Sequence, residues 1–148
     1  MKKNELLRDV NNYFEIDCFR EKQEDIIKTI LSKKDCFVLL PTGGGKTLCY
    51  QYPAMKLEGL TIVVSPLIAL MEDQIRNFKE KMGKINPKMK NSAAMLHKDL
   101  SEKESKKIKK SLKEGGIKLL YLSPERLTNQ KFLRIIDKIK ISLVVVDE

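Results

Sequence analysis

Between an apolar run and an amphipathic one, the chain carries Leu40-Pro41-Thr42-Gly43-Gly44-Gly45-Lys46-Thr47. Three successive glycines remove the Cβ atoms that would keep backbone amides from closing on an anion. A helix opening near Lys46 would aim its unpaired N–H groups and positive dipole end at the same point. That is phosphate chemistry. Thr42, Gly43, Gly44 and Gly45 would line the loop, Lys46 would reach β- and γ-phosphates, and the Thr47 hydroxyl would ligate Mg²⁺. The general pattern opens with glycine where this chain has Leu40, and a plain glycine turn is the alternative. A second set closes the sequence: Leu143-Val144-Val145-Val146-Asp147-Glu148. An apolar strand ending in two acids brings carboxylates to a sheet edge. Asp147 would hold Mg²⁺ against the phosphates, and Glu148 would orient and polarise the attacking water. Alone, such acids are usually a solvated strand end. Their pairing with the glycine loop makes them candidates for catalysis.

Two Ser-Pro steps, Ser65-Pro66 and Ser123-Pro124, each follow an apolar run. Serine suits a helix N-cap and proline the first helical position. Each step is read as a helix start able to hold an anion, with Arg126 adding a cation. Side by side, the two would grip successive phosphates of a nucleic-acid strand. A Ser-Pro step is also simply a good way to start a helix.

The elements that must position these residues alternate. Apolar runs at 36–40, 60–64, 93–96, 117–122 and 141–146 predict buried strands. Between them, Ile26, Ile27, Ile30 and Leu31 share one helical face, and Leu67, Leu70, Met71, Ile75 and Phe78 share another. Ile108 and Leu112 mark a third helix, opened by a Ser101–Glu104 capping box and stopped by Gly115-Gly116. Repeated strand–helix–strand units imply an α/β fold with a mostly parallel sheet and helices on both faces, with ligands at the carboxyl ends of the strands. Residues 79–91, with Gly83 and Pro87, read as a long surface loop, and the lysines of 103–113 as a solvated helix face.

The 148 residues suffice for one domain with a core, and the 42% hydrophobic fraction excludes a disordered chain. No apolar run approaches the roughly 20 residues that span a bilayer. The charged start Met1-Lys2-Lys3-Asn4-Glu5 is no signal core. A soluble intracellular protein without a membrane partner is expected: nuclear in a eukaryote, cytoplasmic in a bacterium. Cys18, Cys36 and Cys49 lack CxxC spacing, and Cys36 and Cys49 read as buried free thiols. His97 has no ligand partner at metal spacing and reads as a surface or satisfied loop residue; Met71 and Met95 read as core. The formal net charge of +9 favours a polyanionic partner.

Four blocks resemble the RecQ branch of superfamily 2 helicases. Phe19-Arg20-Glu21-Lys22-Gln23 looks like that family's adenine-reading motif. Pro41-Thr42-Gly43-Gly44-Gly45-Lys46-Thr47-Leu48-Cys49-Tyr50-Gln51 looks like motif I. Val64-Ser65-Pro66-Leu67-Ile68-Ala69-Leu70-Met71-Glu72-Asp73-Gln74 looks like motif Ia, and Tyr121-Leu122-Ser123-Pro124-Glu125-Arg126-Leu127 looks like motif Ib. They stand in family order over residues 14–148, and motifs I and Ia differ from the DEAD-box RNA helicase forms. The resemblance implies a P-loop, RecA-like three-layer sandwich, with ATP and Mg²⁺ as cofactors. Gln23 would read the adenine edge bidentately, and Arg20 would stack on the base. It further implies an ATP-dependent 3′→5′ DNA helicase that translocates on single-stranded DNA and opens partly duplex DNA in repair and recombination.

The chain departs from the pattern in places. Ile16 stands where the family has an aromatic, and Thr47 where motif I usually has serine. The family's acid motif continues with Ala-His, whereas this sequence ends at Glu148. Motif III and the second RecA-like domain with its arginine finger are not in it. The motif III strand of such folds lies between the glycine-loop strand and the acid strand. Residues 1–148 are therefore expected to be the opening part of the first RecA-like domain, ending after the Walker B acids, and inactive alone. A superfamily 2 RNA helicase, a small-molecule P-loop kinase and a non-catalytic nucleic-acid-binding module are the alternatives.

Overall fold

Four of the five apolar runs become strands: β1 (Leu60–Val64), β2 (Ala93–Leu96), β3 (Leu119–Leu122) and β4 (Ile141–Val146). All pair in parallel, in the order β2-β3-β1-β4. The computed structural model describes residues 3–148 and forms two compact units, one up to Leu57 and one from Glu58. Met1 and Lys2, read as part of a charged start, lie outside the described residues.

The sheet belongs to the second unit. One of its faces gathers Leu60, Ile62, Val64, Ala94, Leu96, Leu120 and Leu122. Against them pack Leu112 of α5 (Glu102–Lys113) and Phe132 and Ile136 of α6 (Gln130–Ile136). Strand alternation sends Val63, Leu119 and Tyr121, all fully buried, to the other face. Helix α4 (Ile68–Ile85) contacts β2 and buries Met71, Ile75, Phe78 and Met82 outside the first cluster, so it covers this second face. The strand run expected over 117–122 is shorter. Ile117 is buried, but it precedes β3, and the Lys118 amide donates to the Ser92 carbonyl at 2.7 Å.

The expected loop over 79–91 is mostly helix, because α4 continues through Gly83 to Ile85. A glycine inside a helix costs about 1 kcal/mol relative to alanine. Full burial of a side chain such as Phe78 or Met82 contributes roughly 1.5–3 kcal/mol, and burial wins. A turn at Pro87–Met89, capped by the Asn86 side chain, completes the connection. Leu67 and Leu70, expected on the buried face, are exposed at the front of α4. Helix α5 opens with both halves of the expected capping box between Ser101 and Glu104 and ends ahead of Gly115, at φ 74°.

The first unit holds α1 (Lys3–Phe14), α2 (Gln23–Leu31) and α3 (Lys46–Lys56). Its centre is Tyr52, wholly buried, with Tyr13 and Phe14 meeting its ring edge-on at 6.4 Å. The Tyr52 hydroxyl donates to Asp9 at 2.5 Å, and the Lys56 ammonium pairs with the same carboxylate at 2.8 Å. On α2, Ile27 and Ile30 are buried as expected, together with Gln23, while Ile26 and Leu31 are half-buried.

The fifth apolar run is the main departure. Residues 36–40 form no strand, and Phe37 and Leu39 are 90% and 83% exposed. A strand exists only through its ladder, and this segment pairs with none of β1–β4. Cys36, expected to be buried, is exposed for the same reason, whereas Cys49 on α3 is buried.

Candidate functional sites

In the first unit the glycine loop turns on itself before α3 begins. The Gly44 amide donates to the Pro41 carbonyl at 2.8 Å. Gly43 and Gly45 take φ of 78° and 81°, the left-handed region that side chains disfavour. Gly45 is the N-cap of α3, so Lys46 and Thr47 open the helix where its unpaired amides lie. A Cβ on Gly44 would come within 2.8 Å of the Pro41 carbonyl oxygen, and one on Gly45 within 2.2 Å of Gln23 Nε2. The loop is thus a cradle that side chains would fill. Its donors, backbone N–H groups and the half-buried Lys46, suit phosphate oxygens.

Two residues expected to read a base also touch this loop. Gln23, 3% exposed, donates through Nε2 to the Gly45 carbonyl at 3.0 Å and accepts the Arg20 amide on Oε1 at 2.8 Å. The Arg20 guanidinium donates to the Gly43 carbonyl. Sequence reasoning missed this role. Its only signal was the presence of two long donor side chains one helical turn apart. Each Gln23 amide atom retains a second hydrogen or lone pair, so loop support does not preclude contact with a base. The Cys49 thiol also donates to Gly45 O, at 3.6 Å, and burial first, then the neighbouring Cys36, pushes its pKa up to about 11.

In the second unit the strand register builds an edge. Val64 is level with Leu122 on one side and Val146 on the other. The next residues, Ser123, Ser65 and Asp147, therefore stand abreast at the carboxyl ends of β3, β1 and β4. The Ser65 amide donates to Leu122 O at 3.0 Å and the Asp147 amide to Val64 O at 2.9 Å. Glu148 follows at φ 67°, turning away from the strand direction.

The two Ser-Pro steps are not the helix starts expected. Helix α4 begins at Ile68 with Leu67 as N-cap, and Ser65 Oγ accepts the Leu67 amide at 3.3 Å. Ser65-Pro66 is thus a turn ahead of the helix. Ser123 does cap an element and Pro124 does open it, but that element is a 3-10 turn, Pro124–Thr128, without a side-chain cap bond. Helix α6 starts later, capped by Asn129. Both serines are buried and both prolines exposed. The cation of Arg126 is engaged, donating to His97 O at 2.6 Å. His97 is a satisfied loop residue, as expected: it is buried and accepts the Asp99 amide at 3.3 Å on Nδ1. Met71 is core, and Met95 is only partly covered. Among the described residues no three His, Cys, Asp or Glu side chains cluster as metal ligands, and no helix is long and apolar enough to cross a membrane.

Comparison with known proteins gives the family. The family described as DEAD/DEAH box helicase matches residues 20–148. The chain is similar to proteins named ATP-dependent DNA helicase RecQ from Synechocystis sp. (41% identical over 97% of this chain and 28% of that protein) and from Bacillus subtilis (41%, over 93% and 22%). It is 42% identical to ATP-dependent DNA helicase Q-like 5 of Arabidopsis thaliana, over 94% of this chain and 14% of that one. It therefore spans roughly a quarter of the length of the first two. Among solved structures, a hypothetical ATP-dependent RNA helicase from Sulfolobus tokodaii shares the α/β fold. The TM-score is 0.68 at 23% identity, covering 98% of this chain and 41% of that one.

Proposed function

Because the chain belongs to the DEAD/DEAH box helicase family, we propose that it is the opening part of the first RecA-like domain of a RecQ-like DNA helicase. That protein would couple ATP hydrolysis to 3′→5′ movement on single-stranded DNA and to duplex opening in repair and recombination. The observation that carries this reading is the glycine cradle at the N-terminus of α3, where a Cβ on Gly44 or Gly45 would collide. The loop amides of Gly43, Gly44 and Gly45, with Thr42 beside them, would hold the triphosphate, and Lys46 would pair with its terminal charges.

Thr47 and Asp147 offer the hard oxygen donors that Mg²⁺ prefers; the ion, when bound, supplies charge neutralisation at the phosphates. Glu148 would orient the attacking water and take up its proton. Gln23 would recognise the adenine edge through its remaining hydrogen and lone pair, and Arg20 would lie against the base. Ser65, Pro66, Ser123, Pro124 and Arg126 would form the track for the DNA strand. Since the two serine hydroxyls are buried, the contacts would come mainly from backbone at the strand ends. Such contacts are to phosphates, hence sequence-tolerant and weakened by salt.

The experiment is Lys46→Ala in the longer protein that contains this chain. DNA-stimulated ATP hydrolysis should fall to background, and normal turnover by the variant would end the assignment. Offering DNA and RNA as competing stimulants separates this reading from an RNA helicase.

A further inference from the structure

The amino ends of the strands, opposite the edge that holds Ser65, Ser123 and Asp147, carry a cleft that the nucleotide and DNA reading does not use. Helix α5 runs into β3 through residues 114–118, and α6 runs into β4 through residues 137–140. In a parallel sheet both connections reach the same edge. Where the two helices end, Lys113, Arg134, Ile135, Lys138 and Ile139 line a cleft of about 460 Å³. Its three charged side chains are all cations and all exposed, and among the described residues none of them is paired with a carboxylate. The acids nearby are engaged or face elsewhere. Glu114 pairs with Lys110 at 3.9 Å and Glu58 with Lys140 at 3.1 Å, while Asp137 lines the neighbouring depression.

Cations at helix C-termini can serve the helices themselves, but here that use is small. The carbonyls of both last turns are already taken by backbone amides. Glu114 donates to Lys110 O at 3.1 Å and Gly116 to Ser111 O at 2.9 Å; on α6, Asp137 donates to Leu133 O and Ile139 to Ile136 O, both at 2.9 Å. What remains is the helix dipole, about half a negative charge at each end. Two ends thus set about one negative charge against three cations, and roughly two positive charges stay uncompensated. The excess continues along α5. Lys106 and Lys110 are exposed on the same side as Lys113, away from the buried Leu112. From Lys106 to the cleft the cations extend about 10 Å.

We propose that this cleft, with the adjoining face of α5, is a second nucleic-acid contact, one that holds the phosphate backbone of a duplex at the end of the sheet away from the strand-end track. Ammonium and guanidinium groups only donate hydrogen bonds, and the remaining lining side chains, Ile135 and Ile139, are apolar. The ligand is therefore an anion built of acceptors. Its charge spacing decides between polymers. One strand of a duplex carries a phosphate about every 3.4 Å, so the row of cations meets about three in succession. An extended acidic peptide turns alternate side chains to opposite sides and offers a carboxylate only about every 7 Å. The formal net charge of +9 adds a long-range attraction for the denser polyanion.

The test uses the longer protein that contains this chain and measures binding of a blunt duplex and of oligothymidylate across a salt series. The variant joins Lys113→Ala, Arg134→Ala and Lys138→Ala. A matching control joins Lys33→Ala, Lys34→Ala and Lys88→Ala, all exposed and outside the cleft. For the duplex, the slope of log affinity against log salt should become shallower by about 2–3 in the variant and stay the same in the control. Oligothymidylate binding should be unchanged in both. In the unaltered protein, duplex should shield Lys113 and Lys138 from an amine-acylating reagent and leave Lys88 reactive, a readout that needs no variant to fold. Equal slopes in variant and control overturn the proposal and make these cations a solvated surface. So does unshielded Lys113 and Lys138, parallel loss of oligothymidylate binding, or displacement of duplex by polyglutamate at equal charge. Binding is read without nucleotide, so its failure is separate from any result of the Lys46→Ala experiment.

Discussion

Gly45 links the glycine loop to the residues that brace it. Its φ of 81° disfavours any side chain, and its would-be Cβ meets Gln23 Nε2 at 2.2 Å. Gly45→Ala should therefore lower stability by about 1–3 kcal/mol and weaken nucleotide binding. Adding Gln23→Ala removes the collision but not the backbone strain, so the double variant should regain part of the loss. Strictly additive losses in thermal melts would show that the two residues are not in conflict. The cysteines offer a second measurement. Cys49 is buried with its pKa pushed up to about 11, whereas Cys18 and Cys36 are exposed. Near neutral pH a thiol reagent should modify Cys18 and Cys36 quickly and Cys49 only on unfolding; three equal rates would contradict the packing of α3. The sharp turn ahead of α3 was legible because the left-handed backbone at Gly43 and Gly45 favours glycine. The bracing by Arg20 and Gln23 was not. A side chain bound to a carbonyl many positions away leaves no periodic trace.

At the scale of elements, legibility followed the origin of each element's stability. β1 and β2 have the expected bounds because both sheet faces are covered there, which demands unbroken apolar runs; β4 has them too, although Val144 and Val146 are exposed. Helix α5 was readable from its ends, since a Ser101–Glu104 box and Gly115 act locally. Residues 36–40 have the same composition as a strand and form none, because pairing is a property of neighbours and not of the segment. Residues 79–85 read as loop because Gly83 was weighed locally, while Phe78 and Met82 draw their stabilisation from the sheet. The readable cap is also the testable one. Ser101 Oγ accepts the Glu104 amide at 3.2 Å, and the Glu104 carboxylate accepts from the Ser101 amide at 3.1 Å. Ser101→Ala should cost about 1 kcal/mol in denaturant unfolding. A change within error would mean that α5 is held by Leu112 and Ile108 alone.

For the whole molecule, exposed apolar surface is the governing observation. Phe37 and Leu39 in the first unit are 90% and 83% exposed, and Val144 and Val146 on β4 are 58% and 80% exposed. β4 pairs with β1 on one side only. Open, apolar edges of this kind invite pairing, and proteins usually cover them. In the longer protein of the proposed reading, a further strand would pair with the open side of β4. That strand would also carry the motif coupling DNA to ATP. Residues 1–148 alone should then show negligible DNA-stimulated ATP hydrolysis. Lengthening the chain through the rest of the domain should slow amide exchange at residues 143–146, since a strand added to β4 closes its ladder. Adding the second RecA-like domain should restore turnover. Unchanged exchange at residues 143–146 would place any added strand elsewhere. Turnover by residues 1–148 at the rate of the longer protein would show that the parts already present suffice, and the proposed division of labour along the chain would be wrong.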